Sequence, residues 1–128
     1  MKALILAAGY AKRLWPMTKN KPKPLLEVKE KPIVEHIIKH FKEIPEIDEI
    51  IIVTNDKFTL TFEQWADSVD VGLPIKIVND MTTSNDDRKG AIGDLKYAVD
   101  ELKIEDDLMV IAGDNLFEYK LADFYKLF

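Results

Sequence analysis

Between Leu6 and Ile33 the chain reads LAAGYAKRLWPMTKNKPKPLLEVKEKPI, a segment in which small residues, cations and prolines interleave. Ala7, Ala8 and Gly9 leave room for a flat or anionic group to approach the backbone closely. Peptide N–H groups at such a break can donate to phosphate oxygens. Arg13 adds a planar fork suited to phosphate, and Lys12 and Lys23 add point charges. Pro16, Pro22 and Pro24 restrict the segment and so lower the entropy lost when a ligand orders it. A lone Gly or a lone Arg in this setting is an ordinary turn with a solvated cation, but the whole string reads as a phosphate-facing loop. Far along the chain, Gly113-Asp114-Asn115 follows the apolar run Leu108–Ala112. A carboxylate there suits Mg²⁺, which takes one or two carboxylates and fills its shell with phosphate oxygens and water. Taken alone, it is more often a turn residue.

These groups need elements to hold them. Lys2–Ala7 is nearly all apolar, as expected of a strand covered on both faces. Tyr10 to Lys31 is expected to be irregular. Pro32 suits the first turn of a helix, and Ile33, Val34, Ile37, Ile38 and Phe41 form an apolar stripe at helical spacing, ended by Pro45. Glu49–Thr54 reads as a second strand, with Asn55 and Asp56 as turn or cap residues. Phe58, Phe62, Trp65 and Val69 predict a helix and mark core rather than a stacking platform, closed by Gly72 and Pro74. Ile75–Val78 is a third strand. Ile92, Leu95, Val99 and Leu102 predict a helix over Gly90–Leu102, Leu108–Ala112 is a fourth strand, and Leu121–Phe128 opens a further helix. Asn79–Lys89 is polar apart from Met81 and long for a connection, as functional loops often are. Strands separated by helices imply a parallel sheet, whose ligands bind outside the carboxyl ends of the strands. Ala7-Ala8-Gly9, Asn79 onward and Gly113-Asp114 are therefore expected to converge on one crevice.

Composition narrows the field. The chain has 128 residues, no Cys, 47% hydrophobic residues and a net charge of −5. That is one domain's length, without disulfides, thiol catalysis or Cys-based zinc sites. No apolar run approaches a membrane span, and the start of the chain runs straight into a strand pattern rather than a leader. A cytoplasmic protein is expected. The charge is uneven: residues 1–43 carry 10 Lys or Arg against 4 Glu, a balance of +6, and the remainder carries 8 against 19, a balance of −11. The basic part suits a small anion, while the acidic remainder discourages nucleic acid. His36 and His40 are four apart on one predicted helix, a spacing that can bind metal, but they lie off the apolar stripe without an acid ligand, and a solvated flank is expected.

The N-terminal string resembles the signature of the sugar-phosphate nucleotidyltransferases, written L-A-A-G-x-G-T-R-L-x-P-x-T, then P-K-P-L-L-x-V and K-P-I. Ala11 stands where that pattern has its second Gly, and Lys12 where it has Thr or Ser. Asn79 lies near the position where the family reads the nucleotide base, usually with Gln. Gly90-Ala91-Ile92-Gly93-Asp94 resembles the family's Gly-Thr-Ala segment without the Thr, and Gly113-Asp114 its metal-binding Gly-Asp. The resemblance implies an α/β fold, a three-layer Rossmann-like sandwich with a mostly parallel sheet. It implies transfer of a nucleotide from an NTP to a sugar 1-phosphate with Mg²⁺ as cofactor, releasing pyrophosphate. Arg13 and Lys23 would be catalytic, holding the leaving pyrophosphate and the α-phosphate region. Leu6, Ala7, Ala8, Gly9, Asn79, Gly90 and Asp114 would bind nucleotide, with Asp114 on the metal. Asp86, Asp87 and Arg88 are candidate nucleotide or sugar contacts, or parts of a lid.

The chain is short for that family's catalytic domain, and nothing in it matches the sugar-binding segments or second metal-binding Asp. Residues 1–128 are therefore expected to form one truncated, nucleotide-binding portion. A second reading is a nucleotide-binding module without catalysis; a third is transfer to a non-sugar phosphate such as phosphocholine. The apolar stripe Leu121, Phe124, Tyr125 and Phe128 suggests a homo-oligomer contact. Pyrimidine nucleotides are somewhat favoured. A dinucleotide-binding oxidoreductase and a Walker-type NTPase lack their glycine signatures here.

Overall fold

A computed structural model describes residues 1–9, 21–83 and 90–113. β1 (Lys2–Leu6), β4 (Glu49–Thr54), β5 (Ile75–Asn79) and β6 (Leu108–Ala112) form a sheet of order β5-β4-β1-β6. Every pairing is parallel, with Leu6 opposite both Val53 and Ala112, and Thr54 opposite Asn79. The chain begins at the centre of its own sheet, because Lys2–Leu6 is apolar enough to be buried on both faces.

Strand alternation sorts the side chains between two cores. Ala3, Ile5, Ile50 and Ile52 face α1 (Ile33–Phe41) and α2 (Thr59–Ser68), with Val34, Ile37, Phe41 and Phe62 fully buried between them. Leu4, Ile51, Val53 and Val78 face Ala98 of α3 (Gly90–Leu102) on the other side. Helices thus lie on both faces of a parallel sheet, the three-layer arrangement the sequence predicts. All five residues of the predicted α1 stripe are buried. Each such side chain contributes about 1.5–3 kcal/mol by leaving water.

The sequence reading needs correction within its long irregular segment. Lys23–Leu25 forms a 3₁₀ turn, and β2 (Glu27–Val28) pairs antiparallel with β3 (Lys31–Pro32). The hairpin escapes notice because its turn is Lys29-Glu30, both at positive φ (53° and 69°) without a glycine or asparagine to signal it. α1 also stops at Phe41, before Pro45, and β5 reaches Asn79. His36 is not a solvated flank: its Nε2–H donates to the Val28 carbonyl at 2.5 Å, tying α1 to the hairpin. Phe58 and Phe62 are core as expected, while Trp65 is part-buried and donates through Nε1 to Glu35. The predicted helix over Leu121–Phe128, with its apolar stripe, lies outside the described residues, as does Trp15.

Candidate functional site

The carboxyl ends of the four strands deliver Ala7, Asn55, Asp80 and Gly113 to one end of the sheet. The exits of β1 and β4 are joined first. Ala7 N–H donates to the Val53 carbonyl at 2.7 Å, the Thr54 hydroxyl to the Ala7 carbonyl at 3.1 Å, and the Asn55 side-chain amide to the Ala8 carbonyl at 2.9 Å. Asn55 is fully buried, and its Oδ1 accepts from Phe58 N–H at 3.1 Å at the entry to α2. One side chain therefore sets both the loop after β1 and the start of a helix. The Ala7 and Ala8 carbonyls are held from the β4 side, while the N–H groups of Ala8 and Gly9 donate to no acceptor among the described residues. Gly9 is exposed, and a Cβ there would meet nothing within 4 Å.

β6 leaves the sheet against β1. Gly113 N–H donates to the Leu6 carbonyl at 2.9 Å. A Cβ on Gly113 would lie 3.0 Å from Ile5 Cγ2, 3.1 Å from the Leu6 carbonyl oxygen and 3.2 Å from Pro24 Cγ. The absence of a side chain is what lets β1, β6 and the 3₁₀ turn that carries Lys23 meet. Lys23 is half-buried in that turn. The segment with Arg13, and Asp114 itself, lie outside the described residues, as do Asp86, Asp87 and Arg88.

At the exit of β5, Asn79 Nδ2 donates to Asp56 Oδ1 at 2.8 Å and its Oδ1 accepts from Met81 N–H at 2.8 Å. These bonds fix the orientation of the amide and leave it one N–H and one lone pair for a ligand. Next to it, Asp80 is 1% exposed. Its Oδ1 accepts from the Thr82 backbone N–H at 2.9 Å and the Thr82 hydroxyl at 2.6 Å, while Oδ2 is buried without a partner among the described residues. Asp80 N–H donates to the Thr54 carbonyl at 2.8 Å, and Asp56 N–H to the Thr82 carbonyl at 2.9 Å. Met81 is strained at φ 68° and exposed. Gly90, with φ 75°, is exposed at the start of α3.

Leu6, Ala7, Ala8 and Gly113 thus meet around the exits of β1 and β6, where the turn that carries Lys23 packs through Pro24. Asn79 is tied to the β4 exit through Asp56. Thr54, Asn55, Asp56 and Asp80 are partners that the sequence reading did not assign to the site. Their signal was available, since each sits at or just past a strand's carboxyl end. No group of three or more His, Asp or Glu among the described residues can hold a metal ion. The resolved pKa shifts lie at the opposite end of the sheet. The Asp48 carboxylate raises Lys2, and the N-terminal ammonium, 3.1 Å from Asp106, lowers that carboxyl.

A parallel sheet with helices on both faces, and a small-residue break after its first strand, defines a doubly wound α/β architecture. The sequence profile of the nucleotidyl transferase family matches residues 2–128, and the chain belongs to that family. It is 31% identical over 126 residues to UTP–glucose-1-phosphate uridylyltransferase AglF of Haloferax volcanii, covering 98% of this chain and 48% of that protein. It is 55% identical over 53 residues to choline-phosphate cytidylyltransferase of Streptococcus pneumoniae, covering 41% of this chain and 23% of that one. A putative glucose-1-phosphate thymidylyltransferase from Bacillus anthracis superposes with a TM-score of 0.82 at 25% identity, over 99% of this chain and 49% of that one. The chain spans about half the length or less of these relatives. No helix among the described residues is long and apolar enough to cross a membrane.

Proposed function

We propose that residues 1–128 are the nucleotide-binding portion of a Mg²⁺-dependent nucleotidyltransferase that joins an NTP to a sugar 1-phosphate, yielding an NDP-sugar and pyrophosphate. The observation that carries this reading is the pair of N–H groups at Ala8 and Gly9 that meet no acceptor among the described residues, set by Asn55 and Thr54 at the exit of β1. Consecutive backbone donors beside an open glycine suit phosphate oxygens. Leu6, Ala7, Ala8 and Gly9 would seat the nucleotide's phosphates and sugar, with Asn79 and Gly90 toward the base. Lys23 would hold the α-phosphate region and Arg13 the leaving pyrophosphate. In-line attack of the sugar phosphate oxygen on the α-phosphorus needs positioning and charge stabilisation more than covalent help from the protein.

A carboxylate is the donor class Mg²⁺ prefers, and Asp114 directly follows the tightly packed Gly113, so Asp114 would hold the ion. When bound, Mg²⁺ neutralises charge on the phosphate oxygens. A cytoplasmic setting fits nucleotide substrates, and the stripe Leu121, Phe124, Tyr125 and Phe128 would supply a homo-oligomer contact. The identity to choline-phosphate cytidylyltransferase favours one second reading, an alcohol phosphate in place of the sugar phosphate.

Calorimetric titration with ATP, GTP, CTP, UTP and dTTP, with and without Mg²⁺, tests the proposal. Selective Mg²⁺-dependent binding of one nucleotide, a pyrimidine by preference, is expected. Absence of binding to all five refutes the nucleotide site. Pyrophosphate release with glucose 1-phosphate against phosphocholine then separates the two acceptor classes, and binding without release from either identifies a binding module.

A further inference from the structure

A cleft of about 570 Å³ lies away from the strand exits, between the β2–β3 hairpin, the outer face of α1 and the segment after α2. That volume is within the range of small-molecule sites. Lys29, Lys31, Lys39 and Lys42 line it. None of these lysines has a carboxylate within 4 Å among the described residues.

Two carboxylates share its wall, each oriented by a neutral donor. Glu35 accepts from Trp65 Nε1 at 3.1 Å, and Asp70 accepts from Gly72 N–H at 3.0 Å. Four lysines against two carboxylates leave the wall a surplus of two positive charges on a chain whose net charge is −5.

Three further observations separate the cleft from a chance meeting of lysines. Lys29 and Glu30 both hold positive φ, a turn that non-glycine residues adopt at a cost of order 1–3 kcal/mol each. The hairpin that presents Lys29 and Lys31 is fixed to α1 by the bond from His36 to the Val28 carbonyl. An adjoining hollow of about 360 Å³ shares Lys42 and Val71 with the cleft and is otherwise lined by apolar groups such as Ile44, Pro45 and Leu73.

We propose that this cleft is a second ligand site, which takes a small molecule carrying two or more phosphate groups and an apolar or aromatic moiety. The phosphates would lie among Lys29, Lys31, Lys39 and Lys42, and the apolar part against Val71 and Leu73. The site is distinct from the proposed nucleotide site: Val69–Val71 lead into the amino end of β5, whereas the proposed nucleotide site lies at the carboxyl ends of the strands.

Amide NMR titration of the 128-residue chain with sodium tripolyphosphate, at constant ionic strength, tests this. Saturable shifts are expected at residues 29–31, 39–42 and 69–71, read separately from any shifts at residues 7–9. The double substitution Lys39→Gln and Lys42→Gln should weaken the cleft response roughly tenfold or more, as loss of charged hydrogen bonds to an anion does. It should leave thermal unfolding and any response at residues 7–9 unchanged. Shifts at the cleft that stay linear and match those from sodium chloride overturn the proposal. So does a cleft response indifferent to the double substitution. Perturbation of these amides by anionic phospholipid vesicles but not by tripolyphosphate also overturns it, assigning the patch to a membrane surface.

Discussion

Two glycines at the same end of the sheet should respond oppositely to the same substitution. In Gly113→Ala the new methyl would lie 3.0 Å from Ile5 Cγ2 and 3.1 Å from the Leu6 carbonyl oxygen. Carbon–carbon contacts are comfortable at about 3.5–4.0 Å, so the β1 and β6 exits must separate by roughly half an ångström. The Leu6 oxygen cannot yield freely, because it accepts the Gly113 N–H at 2.9 Å. Overpacking of this kind costs about 1–3 kcal/mol, offset by about 0.4–1 kcal/mol because alanine restricts the unfolded chain. The net loss is about 1–2 kcal/mol. At an unfolding entropy of about 2.1 cal/mol/K per residue, that lowers Tm by roughly 4–7 °C. Gly9→Ala meets no atom within 4 Å, so its stability should be unchanged or raised by up to about 1 kcal/mol. On the proposed function its methyl projects where the nucleotide approaches, and affinity should fall about tenfold or more. Urea and thermal unfolding by circular dichroism, with nucleotide titration of both variants, read the contrast. A Gly113→Ala Tm within 1 °C of wild type would refute the packing of β6 against β1 and the 3₁₀ turn. Unchanged nucleotide affinity in Gly9→Ala would refute close approach at that backbone.

Asn55→Ala leaves the Ala8 carbonyl without its buried donor, while Phe58 N–H keeps the Asn55 backbone carbonyl at 3.2 Å; a loss of about 1–3 kcal/mol is expected in urea unfolding. Asp56→Ala releases the Asn79 amide and should weaken nucleotide binding severalfold with little effect on Tm, measured by calorimetry beside thermal unfolding. Lys23→Ala should reduce turnover on the order of 10²–10³ in a chain competent for pyrophosphate release; less than a threefold loss removes its assigned role. Asp106 has its pKa lowered by the N-terminal ammonium, so the pair adds stability above the unfolded carboxyl's range and loses it as pH falls through the depressed folded value. Wild type and Asp106→Asn should therefore differ in Tm at neutral pH, converge in strong acid and approach each other at high salt; a pH-independent difference contradicts the ion pair.

The four sheet strands and three helices were legible because their periodicity reports burial directly. Glu49–Thr54 is buried on both faces, Leu108–Ala112 is an apolar run of which only Ile111 is buried among the described residues, and α1 shows its stripe because one side packs on the sheet. The hairpin was not legible, since a two-residue turn of Lys29 and Glu30 lacks the residues that favour positive φ. His36 was misread for a related reason: its partner is a backbone carbonyl in that unseen hairpin, which side-chain spacing cannot reveal.

The site divides in the same way. Its backbone donors were legible as small residues after a strand, because only small residues tolerate a ligand at the main chain. Its supports were not. Asn55 and Asp56 read as turn residues from sequence, and only the parallel pairing of β4 with β1 and β5 turns them into partners of Ala8 and Asn79. Register is the deciding quantity. Leu6 stands opposite Val53, so the residues that follow each, Ala7 and Thr54, leave the sheet side by side and can exchange bonds. A one-residue slip would exchange the buried faces of β1 and carry its break away from Asn55. The alternation that buries Ala3 and Ile5 under α1 and Leu4 under α3 therefore also fixes where the N–H groups of Ala8 and Gly9 emerge. Fold stability and placement of the proposed phosphate site thus rest on the same register, which is why perturbations at Asn55 and Gly113 should register first as lost stability and those at Gly9 and Asp56 as lost affinity.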